Sequence, residues 1–483
     1  MIMRGLIAIL MALAALSASA QHYQSDFPPD EFRDRWTGLF DRIGGQAVAI
    51  VQGSPSTRGF EFPRQFNSFY YLSGIETPHA YLWLDGRTRE VTLFLPPQNA
   101  RLERSEGKVL SATDVELVKS LTGVDEVRST DDMLGDWLGE ALGQQPPALY
   151  TPFRPAEGYA QSRYEIERAD TKIVNDYWDG RLPREVHLIS LLKTRAPKPY
   201  GKPELELLDL SPVLDELRTI KSEREIALIR RASEIAGFGM MEAIRSTVPG
   251  AYEYQLDAAA RYVYLLNGAR LDGYRSITAS GTENIANWHY FRNTRELQAG
   301  DLVLMDYAPD YHYYVSDIGR VWPVNGTFSA TQRELVEVIL RYRNELLARI
   351  RPGVTPAKIL AEAAQAMEAW FDANPFSSER YEAAARDMIE NGRGAFSHLV
   401  GMAVHDVGSY VDAPLLPGTV FSVDPTLRVP EENLYLRYED TVVVTDTGVE
   451  NFTDFLPSEL DDIEALMQEE GVLQKVPAVD KWP

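Results

Sequence analysis

A chain of 483 residues with a formal charge of −23 and no cysteine is long enough for two or three domains, each with its own core. Its ordinary apolar, aromatic and charged fractions exclude wholesale disorder, and the acidic balance argues against nucleic acid or an anionic membrane as partner. Without cysteine there are no disulfides, thiol nucleophiles or thiolate metal sites, so chemistry falls to carboxylates, imidazoles and hydroxyls.

In chain order, Arg4, the apolar stretch Leu6 to Leu16 and the small residues Ala18-Ser19-Ala20 predict a secretory signal peptide over 1–20. The mature chain then starts near Gln21 and is exported, periplasmic or secreted. The apolar stretch is shorter than the ~20 residues of a membrane span, and no later segment is long and apolar enough to insert. Gln rather than Cys after the cut argues against a lipid anchor there. Over 21–185, AVAIVQG (47–53), FYYLSG (69–74), AYLWLDG (80–86) and VTLFLPP (91–97) predict strands closed by Gly or Pro. With helical spacing over 114–123 and 131–142, they make an α/β domain. The stretch 186–213, rich in Lys, Pro and Leu towards its end, reads as a linker.

From 214 to 470 the punctuation sharpens, and 471–483 reads as a tail. Ser222 with Glu225 and Ser329 with Gln332 form capping boxes ahead of apolar residues at helical spacing. Pro249-Gly250 and Pro352-Gly353 stop those helices, and Thr355-Pro356 opens a third. Strand-like runs cover 272–280, 301–307, 313–323, 418–424 and 434–445. Long helices among mostly antiparallel strands predict an α+β domain.

Within it the hairpin GDLVLMDYAPDYHYYVSDIGR (300–320) is the most informative segment. A turn centred on Tyr311-His312 would set Asp306 directly opposite Asp317, with facing Cβ atoms ~5 Å apart. Like charges so placed repel unless a cation lies between them, and two metals ~3.5–4 Å apart would fit. Two solvated aspartates beside a turn give the same pattern, and on spacing alone that reading is the stronger one. FSHLVGMAVHDVG (396–408) carries His398 and His405, two of only seven histidines. Pro425 keeps Asp424 extended, and Glu439 shares a strand face with Arg437. Taken singly, each of these also reads as a core imidazole or a solvent face. Together they make an oxygen-rich donor set that favours Mn²⁺, with Co²⁺, Fe²⁺ or Zn²⁺ as competitors. Such a metal pair can activate a water and polarise a carbonyl, with a carboxylate as general base. His289 and His405 are then placed to contact the substrate or a developing oxyanion.

The Asp-x10-Asp hairpin, SHLVGMAVHD, VDP and RYEDTVVVT resemble, in order and spacing, the pita-bread metallopeptidases, above all the Xaa-Pro aminopeptidase and prolidase branch. RTIKSEREIALIRRASEIA (218–236) and GRVWPVNGTFSATQREL (319–335) are similar to flanking family segments. PRQFNSFYYLSG (63–74) and RLERSEGK (101–108) resemble the family's creatinase-like N-terminal domain. The resemblance implies Asp306, Asp317, His398, Asp424 and Glu439 as ligands of two divalent metals. It also implies His289 and His405 as substrate contacts and Arg437 as support beside Glu439. The implied activity is release of an N-terminal residue from small peptides with proline at the second position.

Three departures bear on substrate range. Asp424 stands where the family has Glu, Arg428 replaces an aromatic residue, and Gly394 replaces a histidine. Phe66 and Ser68 occupy usual Asp positions of the N-terminal motif, so a homo-oligomer stays open but the family's oligomer contacts do not carry over. The alternatives are a prolidase acting on dipeptides, a metal-free creatinase-type hydrolase, or an inactive binding protein on the same fold.

Overall fold

The computed structural model describes residues 23–476 except 58, 134–136, 144–147, 196–204 and 393. The leader expected over 1–20 and the end of the expected tail lie outside the described residues. The chain divides into two compact units, Met1–Gly158 with Tyr177–Val213, and Tyr159–Asp176 with Leu214–Pro483. Among the described residues no helix is long and apolar enough to cross a membrane.

The first unit is built on a six-stranded mixed sheet in the order β4-β3-β2-β1-β5-β6. Its strands are β1 (Ala47–Gln52), β2 (Tyr81–Asp85), β3 (Glu90–Leu95), β4 (Glu126–Ser129), β5 (Ala148–Thr151) and β6 (Glu206–Asp209). Buried Val48, Ile50, Trp83, Phe94 and Leu149 fill its core. Two expectations change here. The run 69–74 lies in a helix, Asn67–Ser73, closed by Gly74 at φ 63°. All seven of its residues are buried, so no apolar stripe marks a period. The segment read as a linker over 186–213 instead carries most of the helix Arg184–Arg195 and strand β6, which pairs in parallel with β5. Its leucines pack as a sheet edge, and its Lys- and Pro-rich part falls largely within 196–204.

In the second unit the helices Glu223–Ser246, Ala330–Leu347 and Pro356–Ala373 begin at Ser222, Ser329 and Thr355, each side-chain oxygen accepting from a first-turn amide. They flank short antiparallel ladders: β7 (Leu271–Asp272), β8 (Ile277–Ser280), β9 (Leu302–Asp306), β10 (Pro309–Tyr311), β11 (Tyr314–Val315), β12 (Gly319–Pro323), β13 (Val420–Val423), β14 (Thr426–Val429), β15 (Leu434–Arg437), β16 (Asp440–Val444) and β17 (Val449–Asn451). The sheets run β11-β10-β7, β12-β9-β8, β13-β16-β17 and β14-β15. The supposed tail starts as a docked turn, with Gln474 Nε2 donating to the Ser246 carbonyl at 3.1 Å. The chain is thus an α+β fold with an α/β domain ahead of it.

The hairpin register differs from the expected one. The turn is His312-Tyr313, both in left-handed conformation at φ 51° and 76°, and Tyr311 pairs with Tyr314. Moving the turn centre by one residue shifts the pairing by two. Asp306 therefore faces Gly319 rather than Asp317, and the two aspartates are diagonal neighbours that keep a common face.

Candidate active site

Three strands bring the carboxylates together. Glu439 sits where the chain leaves the β14–β15 ladder for the β13–β16 ladder, and it exchanges backbone hydrogen bonds with Gly319 at 3.0 and 3.1 Å. Gly319 pairs on its other side with Asp306. A Cβ on Gly319 would lie 3.3 Å from the Glu439 Cβ and 3.4 Å from the Arg437 Cγ. The missing side chain therefore leaves room between the two acids.

Asp306, Asp317 and Glu439 each offer an oxygen within 4.8 Å of the others, and all three are buried. The Tyr274 hydroxyl bridges the aspartates, 2.6 Å from Asp306 Oδ1 and 2.9 Å from Asp317 Oδ1. Asp317, His398 and His405 form a second such group. His398 Nε2 lies 3.2 Å from Asp317 Oδ2, and its Nδ1 lies 3.2 Å from the Leu399 carbonyl. His405, expected to contact the substrate or a developing oxyanion, thus has a ring nitrogen beside a ligand pair. It stacks on Tyr164 at 5.3 Å.

Asp424 belongs to neither group. The Arg437 guanidinium grips it through Nε, at 3.0 Å from Oδ1, and through Nη2 to Oδ2. Nη1 of the same arginine donates to Asp306. Nη2 is also 3.1 Å from Glu439 Oε2, but without hydrogen-bond alignment, since both Glu439 oxygens are buried with no hydrogen-bond partner. His289 stands on the wall of a cavity of about 440 Å³, together with His398, His405, Asp424 and Arg437.

The electrostatics follow from four buried carboxylates and one guanidinium. Burial pushes Asp306 up to about 8, against the charge of Arg437. Burial likewise raises Asp424, and raises Glu439 well above the ordinary range. Burial would raise Asp317, but the hydrogen bond and charge of His398 together with Arg437 and His405 outweigh it and hold it down at about 2. Burial and the neighbouring His398 lower His405 to about 3. Desolvation and Arg437 lower His289.

Such a cluster is costly without more positive charge than Arg437 supplies. The two unsatisfied Glu439 oxygens and the hard oxygen and imidazole donors fit divalent cations. Sequence reasoning missed Tyr274, Gly319 and Tyr164. Of these only Gly319 carried a signal, as a glycine inside an apolar strand run.

Residues 227–446 match metallopeptidase family M24, and residues 32–150 match the aminopeptidase P N-terminal domain. The Xaa-Pro aminopeptidase of Escherichia coli is 30% identical over 469 residues, covering 92% of this chain and 98% of the relative. That of Haemophilus influenzae is 27% identical over 471 residues, covering 92% and 99%. The structure of Zn-substituted Escherichia coli aminopeptidase P in complex with product aligns with a TM-score of 0.73 at 27% identity, again over 92% and 99%. The chain belongs to the Xaa-Pro aminopeptidases of metallopeptidase family M24.

Proposed function

We propose that this chain hydrolyses the peptide bond between an N-terminal residue and a following proline. The observation that carries the reading is the convergence of Asp306 and Asp317 on Glu439, whose two buried oxygens have no hydrogen-bond partner, with His398 joined to the group at Asp317. Asp306, Asp317, His398 and Glu439 would hold two divalent cations, Mn²⁺ best matching an oxygen-rich set, with Asp424 beside them through Arg437. When bound, such cations supply Lewis acidity and lower the pKa of a coordinated water.

The remaining steps fall to the side chains. Asp424, a buried carboxylate with raised proton affinity, suits a group that takes a proton from the attacking water and delivers it to the departing proline nitrogen. His405 is neutral at physiological pH and donates one N–H to the developing oxyanion without adding charge. His289 orients the substrate from the cavity wall. Tyr274 fixes Asp306 and Asp317.

The test is cleavage of Ala-Pro, Ala-Pro-Ala and Ala-Ala-Ala by chelator-stripped protein resupplied with Mn²⁺, Co²⁺ or Zn²⁺. Metal-dependent release of alanine from Ala-Pro-Ala, lost in Asp306→Ala and His398→Ala, is expected. Full activity in both variants would sink the mechanism. Preference for Ala-Pro would make the chain a dipeptidase, and no cleavage with any metal would leave a non-peptidase on the same fold.

A further inference from the structure

Arg428 lines the cleft, and nothing above gives it a task. It lies four residues past Asp424 and two past Thr426 on β14, so strand alternation turns all three side chains to one face. Across the ladder Arg428 pairs with Tyr435 and Thr426 with Arg437, and these residues all line the same cavity. The Arg428 guanidinium carbon sits 4.4 Å from the centre of the Trp288 ring and 5.1 Å from that of Tyr435. Two aromatic faces hold the plane and leave the N–H donors at its edge free to bond.

Among the described residues nothing engages those donors. Nε is buried without a hydrogen-bond partner, and Arg428 appears in no hydrogen bond or ion pair, whereas the other guanidinium of the cavity, Arg437, is committed to three carboxylates. A fixed, unpaired guanidinium in a chain of charge −23 is a local exception to a field that repels anions. Its fork matches a carboxylate.

We propose that Arg428 binds a carboxylate of the peptide on the proline side of the scissile bond. The direction follows from chemistry, since the N-terminal residue carries an ammonium group and has no chain ahead of it. The reach follows from the strand. Asp424 and Arg428 are about 13 Å apart at ~3.3 Å per residue, the span of an extended peptide of about three to five residues. Either a free C-terminus or an acidic side chain can supply the carboxylate. Stacking on Trp288 and Tyr435 orders the receptor before the ligand arrives, which lowers the entropic cost of binding. The inference rests on the peptidase reading.

The experiment compares kcat/KM of the metal-loaded protein for Ala-Pro-Ala and Ala-Pro-Ala-Ala as free acids and as C-terminal amides. The acids are expected to exceed the amides by about 10-fold or more, the worth of a hydrogen bond to a charged group. The ratio should fall towards 1 in Arg428→Gln and shrink as salt is raised. Rescue of a poor amide by placing Glu after proline would show that a side chain can serve, and no rescue would assign the site to the C-terminus. Calorimetric binding of Pro-Ala acid against Pro-Ala amide to metal-free protein reads the same preference without turnover. Equal cleavage of acid and amide by the unaltered enzyme overturns this inference while leaving the peptidase intact. A preference that persists in folded Arg428→Gln overturns it too. Absence of all cleavage overturns the peptidase reading, and this one with it.

Discussion

Asp424 and Gly394 meet backbone to backbone. The Asp424 amide donates to the Gly394 carbonyl at 2.6 Å, and a Cβ on Gly394 would lie 1.6 Å from the Asp424 carbonyl oxygen. Gly394 also has φ +68°, which side chains resist. A side chain at position 394 therefore has no room beside this strand. Gly394→Ala is expected to destabilise the protein by about 3 kcal/mol, combining overpacking with backbone strain. It should also weaken divalent-cation binding, because moving Asp424 displaces Arg437 from Asp306 and Glu439. Urea unfolding and Mn²⁺ calorimetry check both, and unchanged stability would contradict the contact.

Gly319 gives a milder prediction of the same kind. Contacts of 3.3 and 3.4 Å to Glu439 and Arg437 carbons are tight but do not overlap. Gly319→Ala should cost about 1–2 kcal/mol and displace Glu439 relative to Asp306. Chemical denaturation measures the first effect, and a rise in the Mn²⁺ dissociation constant measures the second.

Tyr274→Phe removes the hydroxyl shared by Asp306 and Asp317 while keeping the ring. Loss of such an orienting partner is expected to weaken metal binding about 10–100-fold. Titration of chelator-stripped protein with Mn²⁺ would show it, and an unchanged affinity would mean that the bridge does not orient the pair.

Arg437 is the one cation ion-paired with Asp306, Asp424 and Glu439 among the described residues. Arg437→Met should cost the chelator-treated form about 3–5 kcal/mol, the usual penalty for stranding buried charge. Added divalent cation should recover part of it. Thermal unfolding with EDTA and with Mn²⁺ distinguishes this from a simple packing loss, which metal would not repair.

One residue past His405, Asp406 is buried between Arg218 Nη2 at 2.5 Å and Lys221 Nζ at 3.0 Å. Burial would raise its pKa, but the two cations outweigh burial and lower it. A depressed folded pKa contributes stability above the unfolded value of about 3.9 and loses it as pH falls through the folded one. Asp406→Asn should therefore cost about 3–5 kcal/mol at pH 7, and the gap to the unaltered protein should narrow below about pH 4. Urea titrations at pH 7, 5 and 3.5 test the window.

Much of the catalytic half was legible because its helices carry caps at Ser222, Ser329 and Thr355 and stops at Pro249-Gly250 and Pro352-Gly353, and because acids in apolar strands stand out. The hairpin turn was not, since His312-Tyr313 adopts left-handed backbone without the Gly or Asn that usually marks it. Residues 67–73 hid their helix by being buried all round. The sequence showed Asp424 and Arg437 as separate polar positions. Their pairing depends on Thr426 lying opposite Arg437, a tertiary fact with no local signature. Tyr274 was one of 24 tyrosines, and only the fold brings its hydroxyl between two aspartates.

The short turn between β14 and β15 governs more than its own shape. Pro430–Glu432 makes a tight turn, and Asn433 reverses the chain in left-handed conformation. Asp424, Thr426, Arg428, Tyr435 and Arg437 line the cavity because the pairing puts them on one side. Side chains alternate with a period of two, so a slip by one residue would turn the β15 members of that row towards the core. Length variation at 430–433 is therefore constrained by parity. An inserted pair of residues can extend the hairpin and keep the row, whereas a single insertion must be absorbed as a bulge or remove the cleft's wall.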